Sequence, residues 1–169
     1  MPQRNASALR EMRRMVVRLA PEARVVFPAA DADVSDWDRV RYTWSGRVLK
    51  PSGTLIEHWA HDIAHVLVAP PERRCIPECG LGPDPYRGSA AKNIVGWVVA
   101  THEEHITCVM QTVLALLLKL DVEIVIREVE IGHPTLAGFE SVRKYAPDAL
   151  TELQWARARK CVQDSEGAE

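Results

Sequence analysis

The stretch Glu57-His58-Trp59-Ala60-His61-Asp62-Ile63-Ala64-His65 decides how the rest of the chain reads. His61 and His65 are four residues apart. On a helix that spacing sends both imidazoles out of one face, about a turn from each other. It is the spacing at which a helix offers two nitrogen ligands to one metal ion. Leu55, Trp59, Ile63, Val66 and Leu67 recur around a core-facing side, so the segment is expected to be a helix. Thr54 and Glu57 have the spacing of a capping box at its start. Pro70 and Pro71 must end it near Ala69.

Downstream, residues 70–89 carry five prolines and Gly80, Gly82 and Gly88, a composition that predicts an ordered loop laid over the histidine helix. Residues 90–120 have helical character, with a break expected near Gly96 or Ala100. Thr101 and Glu104 form a second possible capping box, so a fresh helix could begin there. Val109, Val113, Leu116, Leu117 and Leu120 mark that element as buried. Residues 121–131 read either way: Val122, Ile124 and Ile126 alternate as in a strand, and then the phase slips. Helices are expected over 136–145 and 148–162, separated by Pro147, with a frayed polar tail at 163–169.

Upstream, Leu9, Met12, Val16 and Leu19 predict an amphipathic helix over 6–19, closed by Pro21. Its other face carries Arg10, Arg13, Arg14 and Arg18, read as a solvated basic face. Residues 24–27 suit a short strand and 28–38 a loop. The alternation Val40, Tyr42, Trp44 and then Val48 suggests a hairpin turning at Ser45-Gly46. The reading is one mainly α (α+β) domain with four parts: 1–53 a helix and a small β element, 54–120 the site, 121–162 C-terminal helices, 163–169 a tail.

A metal site needs a donor beyond two imidazoles. Glu103 and Glu104 stand at the start of the next strong helix and could supply a carboxylate. Glu104 is preferred because it shares a helical face with Cys108, Gln111 and Ala115, whereas Glu103 shares one with Met110. Two histidines and a carboxylate leave coordination positions open. Zinc in such a site brings the pKa of bound water to about 7, which suits hydrolysis, and Asp62 is placed to take the proton. The same donors with iron(II) suit oxygen activation.

His61-Asp62-Ile63-Ala64-His65 resembles the active helix of zincin-type metallopeptidases, with Asp62 in place of their glutamate. Residues 58–118 are more widely similar to the elongation factor P hydroxylase family and related bacterial zincin-like proteins. The likeness runs through Ala69, Arg73-Arg74, the Gly80-Leu81-Gly82-Pro83-Asp84 loop, Glu104 and Gln111. It implies a zincin-like helix pair with His61, His65 and Glu104 as metal ligands, and it makes Asp62 the doubtful element of a peptidase. His61-Asp62 also resembles the doublet of HD-type phosphohydrolases, but a separate upstream histidine is missing, since His58 is only three residues back.

The expected protein is therefore a divalent-metal enzyme, zinc favoured and iron(II) the alternative, acting on a peptide or protein substrate. Hydrolysis of a peptide or amide bond is preferred to side-chain hydroxylation, and the rival from another class is a binding protein that has lost catalysis. His58 could add a ligand. Cys75, Cys79, His102 and His105 could form a structural zinc site. Arg73, Arg74, Tyr86 and Arg87 could hold an anion, although salt bridges and loop packing are preferred for them. Trp44, Trp59 and Trp97 are expected in the core, and His133 in a loop. A net charge of −2 gives no reason to expect nucleic acid. With no export signal in the first 20 residues, no apolar run long enough for a bilayer, and four cysteines, a cytoplasmic protein with reduced thiols is expected.

Overall fold

The computed structural model describes residues 2–27, 43–51, 53, 55–81, 94–129 and 131–167. Among them are six α-helices and one pair of short strands. Helix α1 (Pro2–Leu19) is followed by β1 (Arg24–Val25) and β2 (Val48–Leu49). Then come α2 (Ile56–Val68), α3 (Trp97–Leu118), α4 (Val122–Val129), α5 (Leu136–Tyr145) and α6 (Glu152–Glu166). No helix among the described residues is long and apolar enough to cross a membrane.

Helices α2 and α3 form the centre, and their mutual packing is the most extensive among the described residues. Ala60, Ile63, Ala64, Val66 and Leu67 of α2 are fully buried, as are Met110, Val113, Leu114 and Ala115 of α3. The alanines let the two backbones approach closely. The helices run antiparallel: His65 lies opposite Thr107, while Gln111 reaches back to the Glu57 carbonyl. Helix α1 lies against α2 through Ala8, Met12, Met15 and Val16. Helices α5 and α6 pack on α3 and meet each other where the Phe139 and Trp155 rings stand edge to face, 5.5 Å apart.

The β element differs from a simple hairpin. A tight turn does close at Ser45-Gly46, where Ser45 N–H donates to Val48 O at 3.0 Å and Trp44 bridges Leu49 antiparallel. Gly46 takes φ +87°, and a Cβ there would meet the Cys75 carbonyl oxygen at 2.3 Å, so only glycine fits. The strand leaving this turn then pairs in parallel with β1, Arg24 opposite Val48. Residues 28–42, including Val40 and Tyr42, lie outside the described residues, as does the expected Thr54 cap.

Three expectations about helices need correction, and one left open is decided. Helix α3 starts at Trp97, after Gly96 at φ +81°, so Thr101 is inside it and caps nothing. Residues 122–129 are helical because the Asp121 carboxylate accepts from the N–H groups of Glu123 and Ile124, and the Glu57 carboxylate takes the Asp121 N–H. Their apolar positions, Val122, Val125, Ile126 and Val129, also follow the helical period. The last helix begins at Glu152 rather than 148, because Thr151 and Gln154 form a full capping box. It continues to Glu166, so most of the expected tail is helical; its end is held where Glu166 accepts the Leu136 N–H at 2.8 Å.

The basic face of α1 is only partly solvated. Arg18 donates to the Ala149 carbonyl, and Arg13 reaches Val25 O at 3.4 Å while lying over the Phe27 ring. Trp44 and Trp59 are buried as expected, donating their indole N–H groups to Arg74 O and Gly53 O. Trp97 is not in the core: it is 61 % exposed on the first turn of α3.

Candidate metal centre

His61 and His65 project from α2 toward α3, with their Nε2 atoms 3.1 Å apart. Glu104 of α3 reaches between them, Oε1 lying 3.3 Å from His61 Nε2 and Oε2 lying 3.3 Å from His65 Nε2. Cys108, one turn further along α3, brings its Sγ to 3.8 Å from Glu104 Oε1. Donor atoms of His61, Glu104 and Cys108 all fall within 4.8 Å of one another, a group that could hold a divalent metal ion. The histidines are about three-quarters buried and Glu104 is half exposed, so the cluster opens to solvent on the α3 side.

These spacings match the needs of a shared ion. Two nitrogen or oxygen ligands at about 2.05 Å on a tetrahedral zinc are about 3.3 Å apart. The two ring nitrogens, and each ring with its own oxygen of Glu104, already stand at about that separation.

The other side of each ring is held from α3. Gln111 is fully buried and donates its amide N–H to Glu57 O at 3.1 Å. Its Oε1 must then face His61 Nδ1, 2.9 Å away, and accept that N–H. His61 Nε2 is thereby turned to the shared gap. Thr107, also fully buried, places Oγ1 3.4 Å from His65 Nδ1 and leaves that ring's Nε2 to the same gap. The Gln111 amide thereby fixes the tautomer of His61, and both contacts orient the rings, as such contacts do for ligating histidines.

The charges form one cooperative unit. Burial opposes a charge on His61, but the hydrogen bond and charge of Glu104, with Asp62 and Gln111, outweigh it and lift its pKa to about 9. Burial and the neighbouring His61 push His65 down to about 4. Glu104 falls to about 2, since the two rings overcome the effect of its own burial. Near neutral pH a single proton thus sits in the gap between the rings and the carboxylate. An ion entering the gap would have to displace that proton.

Glu103, the rival carboxylate, points elsewhere. It is fully buried, paired with Arg73, and accepts the Tyr145 hydroxyl at 3.0 Å. Arg73 also donates to Cys79 O at 2.9 Å, and Arg74 pairs with Asp148 at 2.8 Å and reaches Leu67 O. Both arginines are buried structural links between the turns at 71–80 and the helices, not free anion ligands. Tyr86 and Arg87 lie outside the described residues, as do residues 82–89 of the expected covering loop.

The remaining candidates stay apart. Cys75 is exposed, Cys79 is buried with its thiol pushed up to about 12 by that burial, and His102 meets the Tyr145 ring at 5.5 Å. Among the described residues they make no donor cluster with His105. His58 packs against Gly53, and His133 lies 3.5 Å from Glu123. Thr107 is absent from the sequence-predicted set, although its place four residues before Gln111, on the same face of α3, is a visible signal.

Asp62 is not among the clustered donors. Its charge acts on His61 and on Glu78. Glu78 accepts the Trp44 N–H at 3.1 Å. Burial raises its pKa from 4.5 to about 7, against backbone hydrogen bonds from Trp44 and Thr43 and with help from Asp62. Folded Glu78 therefore keeps a proton that the unfolded chain has lost between about pH 4.5 and about pH 7. Its contribution is fully present below that window and fades as pH rises through it. Glu78→Gln should remove this dependence and gain about 3 kcal/mol relative to wild type on going from pH 4.5 to pH 8. Urea unfolding at the two pH values measures it; an unchanged difference between the proteins would contradict the raised pKa.

No family model, curated protein or solved structure matches the chain.

Proposed function

We propose that this protein is a metal-dependent hydrolase, with a divalent ion, zinc by preference, held between α2 and α3 by His61, His65 and Glu104. The observation that carries the reading is the convergence of those three donors at 3.1–3.3 Å, with both imidazoles oriented from behind by Gln111 and Thr107. The substrate class is a peptide or amide bond of a protein substrate. Bound zinc supplies a polarised carbonyl and a water of lowered pKa.

The chain's own groups do the rest. His61 and His65 present Nε2 lone pairs once the shared proton has left. Glu104 contributes a negative charge on the solvent-facing side. Asp62 follows His61 on α2 and is the carboxylate assigned to receive the water's proton. An aspartate is one methylene shorter than a glutamate, so the assignment has a direct test. Asp62→Glu should raise the rate of peptide or amide hydrolysis by about a hundredfold, within the usual range for general-base catalysis, while leaving metal content unchanged. A rate that stays the same in both Asp62→Glu and Asp62→Ala would remove Asp62 from the chemistry.

A second reading rests on the same donors. Two histidines and one carboxylate also make the facial set used by non-haem iron(II) oxygenases. In that case the protein would hydroxylate a protein side chain, and Asp62 would only support His61. Iron as the metal recovered from anaerobically purified protein would select this reading; zinc would select the hydrolase.

A further inference from the structure

We propose that Cys108 is a fourth metal ligand, so that the resting centre is a closed set of two imidazoles, one carboxylate and one thiolate. This rests on the three-donor reading above and goes beyond it, because three protein donors leave a position open and four do not.

The placement carries the argument. Helix α2 offers an i, i+4 pair, His61 and His65, and α3 offers another, Glu104 and Cys108, across the same gap. The Cys108 sulfur falls in one group with the donors of His61 and Glu104, all within 4.8 Å. Its separation from Glu104 Oε1 is 3.8 Å. A sulfur at about 2.3 Å and an oxygen at about 2.05 Å on one tetrahedral zinc lie about 3.6 Å apart. The sulfur and the Glu104 oxygen are thus within a few tenths of an ångström of the separation that a shared ion needs. Cys108 is half-buried and is not in a disulfide, so the sulfur is in place to bind.

The charge balance agrees. A dication with two neutral imidazoles, one carboxylate and one thiolate has no net charge, which suits a centre whose histidines are mostly buried. Binding displaces the Cys108 thiol proton to solvent. A thiolate also sets selectivity: it favours zinc, or iron, over magnesium and calcium, which take oxygen ligands. At rest, water or substrate gains the centre only where the sulfur gives way or coordination expands to five.

Cobalt(II) titration of the full-length, metal-free protein tests this. The wild type should take about one cobalt per chain and develop a near-ultraviolet sulfur-to-cobalt charge-transfer band together with intense visible d–d bands. Cys108→Ser and Cys108→Ala should still bind cobalt, seen in the visible bands, and should lose the near-ultraviolet band; Cys75→Ser should keep it. Cobalt binding without that band in the wild type would overturn the fourth ligand and leave the three-donor centre standing. A band that survives in both Cys108 variants would place the sulfur ligand elsewhere and overturn it too. No cobalt binding at all would remove both readings.

Discussion

His65→Ala should lower zinc affinity by more than about a hundredfold, and Gln111→Ala by about ten- to a hundredfold. The first removes a donor. The second removes nothing within reach of an ion. It deletes only the amide that holds His61 Nδ1 at 2.9 Å and is itself anchored to Glu57 O. The two effects are therefore expected to differ in size but share a sign. Thermal unfolding with and without zinc reads both. An ion bound only by the folded state, at a hundred times its dissociation constant, stabilises by about 2.7 kcal/mol. The wild type should show a clear upward shift, Gln111→Ala a smaller one, and His65→Ala almost none at the same zinc concentration. A Gln111→Ala protein that binds zinc as well as wild type would mean that the hydrogen bond behind His61 plays no part in orienting it.

Arg73→Ala is expected to be the most destabilising single change outside the hydrophobic core, at about 3–5 kcal/mol. The guanidinium pairs with Glu103, which is fully buried, and also satisfies Cys79 O. Without Arg73 the Glu103 carboxylate would keep only the Tyr145 hydroxyl as a partner among the groups that now hold it. One of its oxygens, Oε1, already has no hydrogen-bond partner, so the site has no spare capacity to absorb the loss. The pair itself need not be a strong net stabiliser, because desolvating two charges offsets most of their attraction. Replacing both together, as Arg73→Met with Glu103→Leu, should therefore recover most of the stability lost in the single variant. Equilibrium urea unfolding of the single and double variants measures this, and a double variant less stable than Arg73→Ala would contradict it. The pair also fastens the turn at 71–73 to the second turn of α3. Its neighbour Glu104 is thereby held toward α2.

The parts of the site written in local spacing were legible in the sequence. His61 and His65 are one turn apart, and the shared face of Glu104, Cys108 and Gln111 follows from the helical period alone. What that face touches depends on the antiparallel pairing of α2 with α3, which no local pattern encodes. Gln111 could be noted as a polar residue near the site, but its grip on His61 and Glu57 appears only once the helices meet. Glu103 illustrates the same limit from the other side. Its partner Arg73 lies thirty residues earlier in a loop, so its burial as an ion pair is invisible to periodicity. Arg18 behaves likewise: it sits on an evident basic stripe, yet its acceptor is the Ala149 carbonyl far along the chain.

Helix α4 shows how a short element stays ambiguous in the sequence. Eight residues give both an alternating and a helical apolar pattern, and the deciding feature is the side-chain cap at Asp121, helped by Glu57 from α2. The parallel pairing of β1 with β2 is also a tertiary result, since the turn at Gly46 predicts only the local reversal. Trp97, expected in the core because tryptophans are usually buried, lies exposed on α3 seven residues before Glu104, near the same helical face.

The central claim is that the gap between α2 and α3 holds one divalent ion on His61, His65 and Glu104. Elemental analysis of the wild-type chain, purified without a tag, beside the His61→Ala/His65→Ala variant tests it most directly. About one equivalent of zinc or iron per wild-type chain, absent from the folded double variant, is the result this account predicts. A wild-type protein without stoichiometric metal that also fails to take up added zinc, or a double variant with the same metal content, would contradict it.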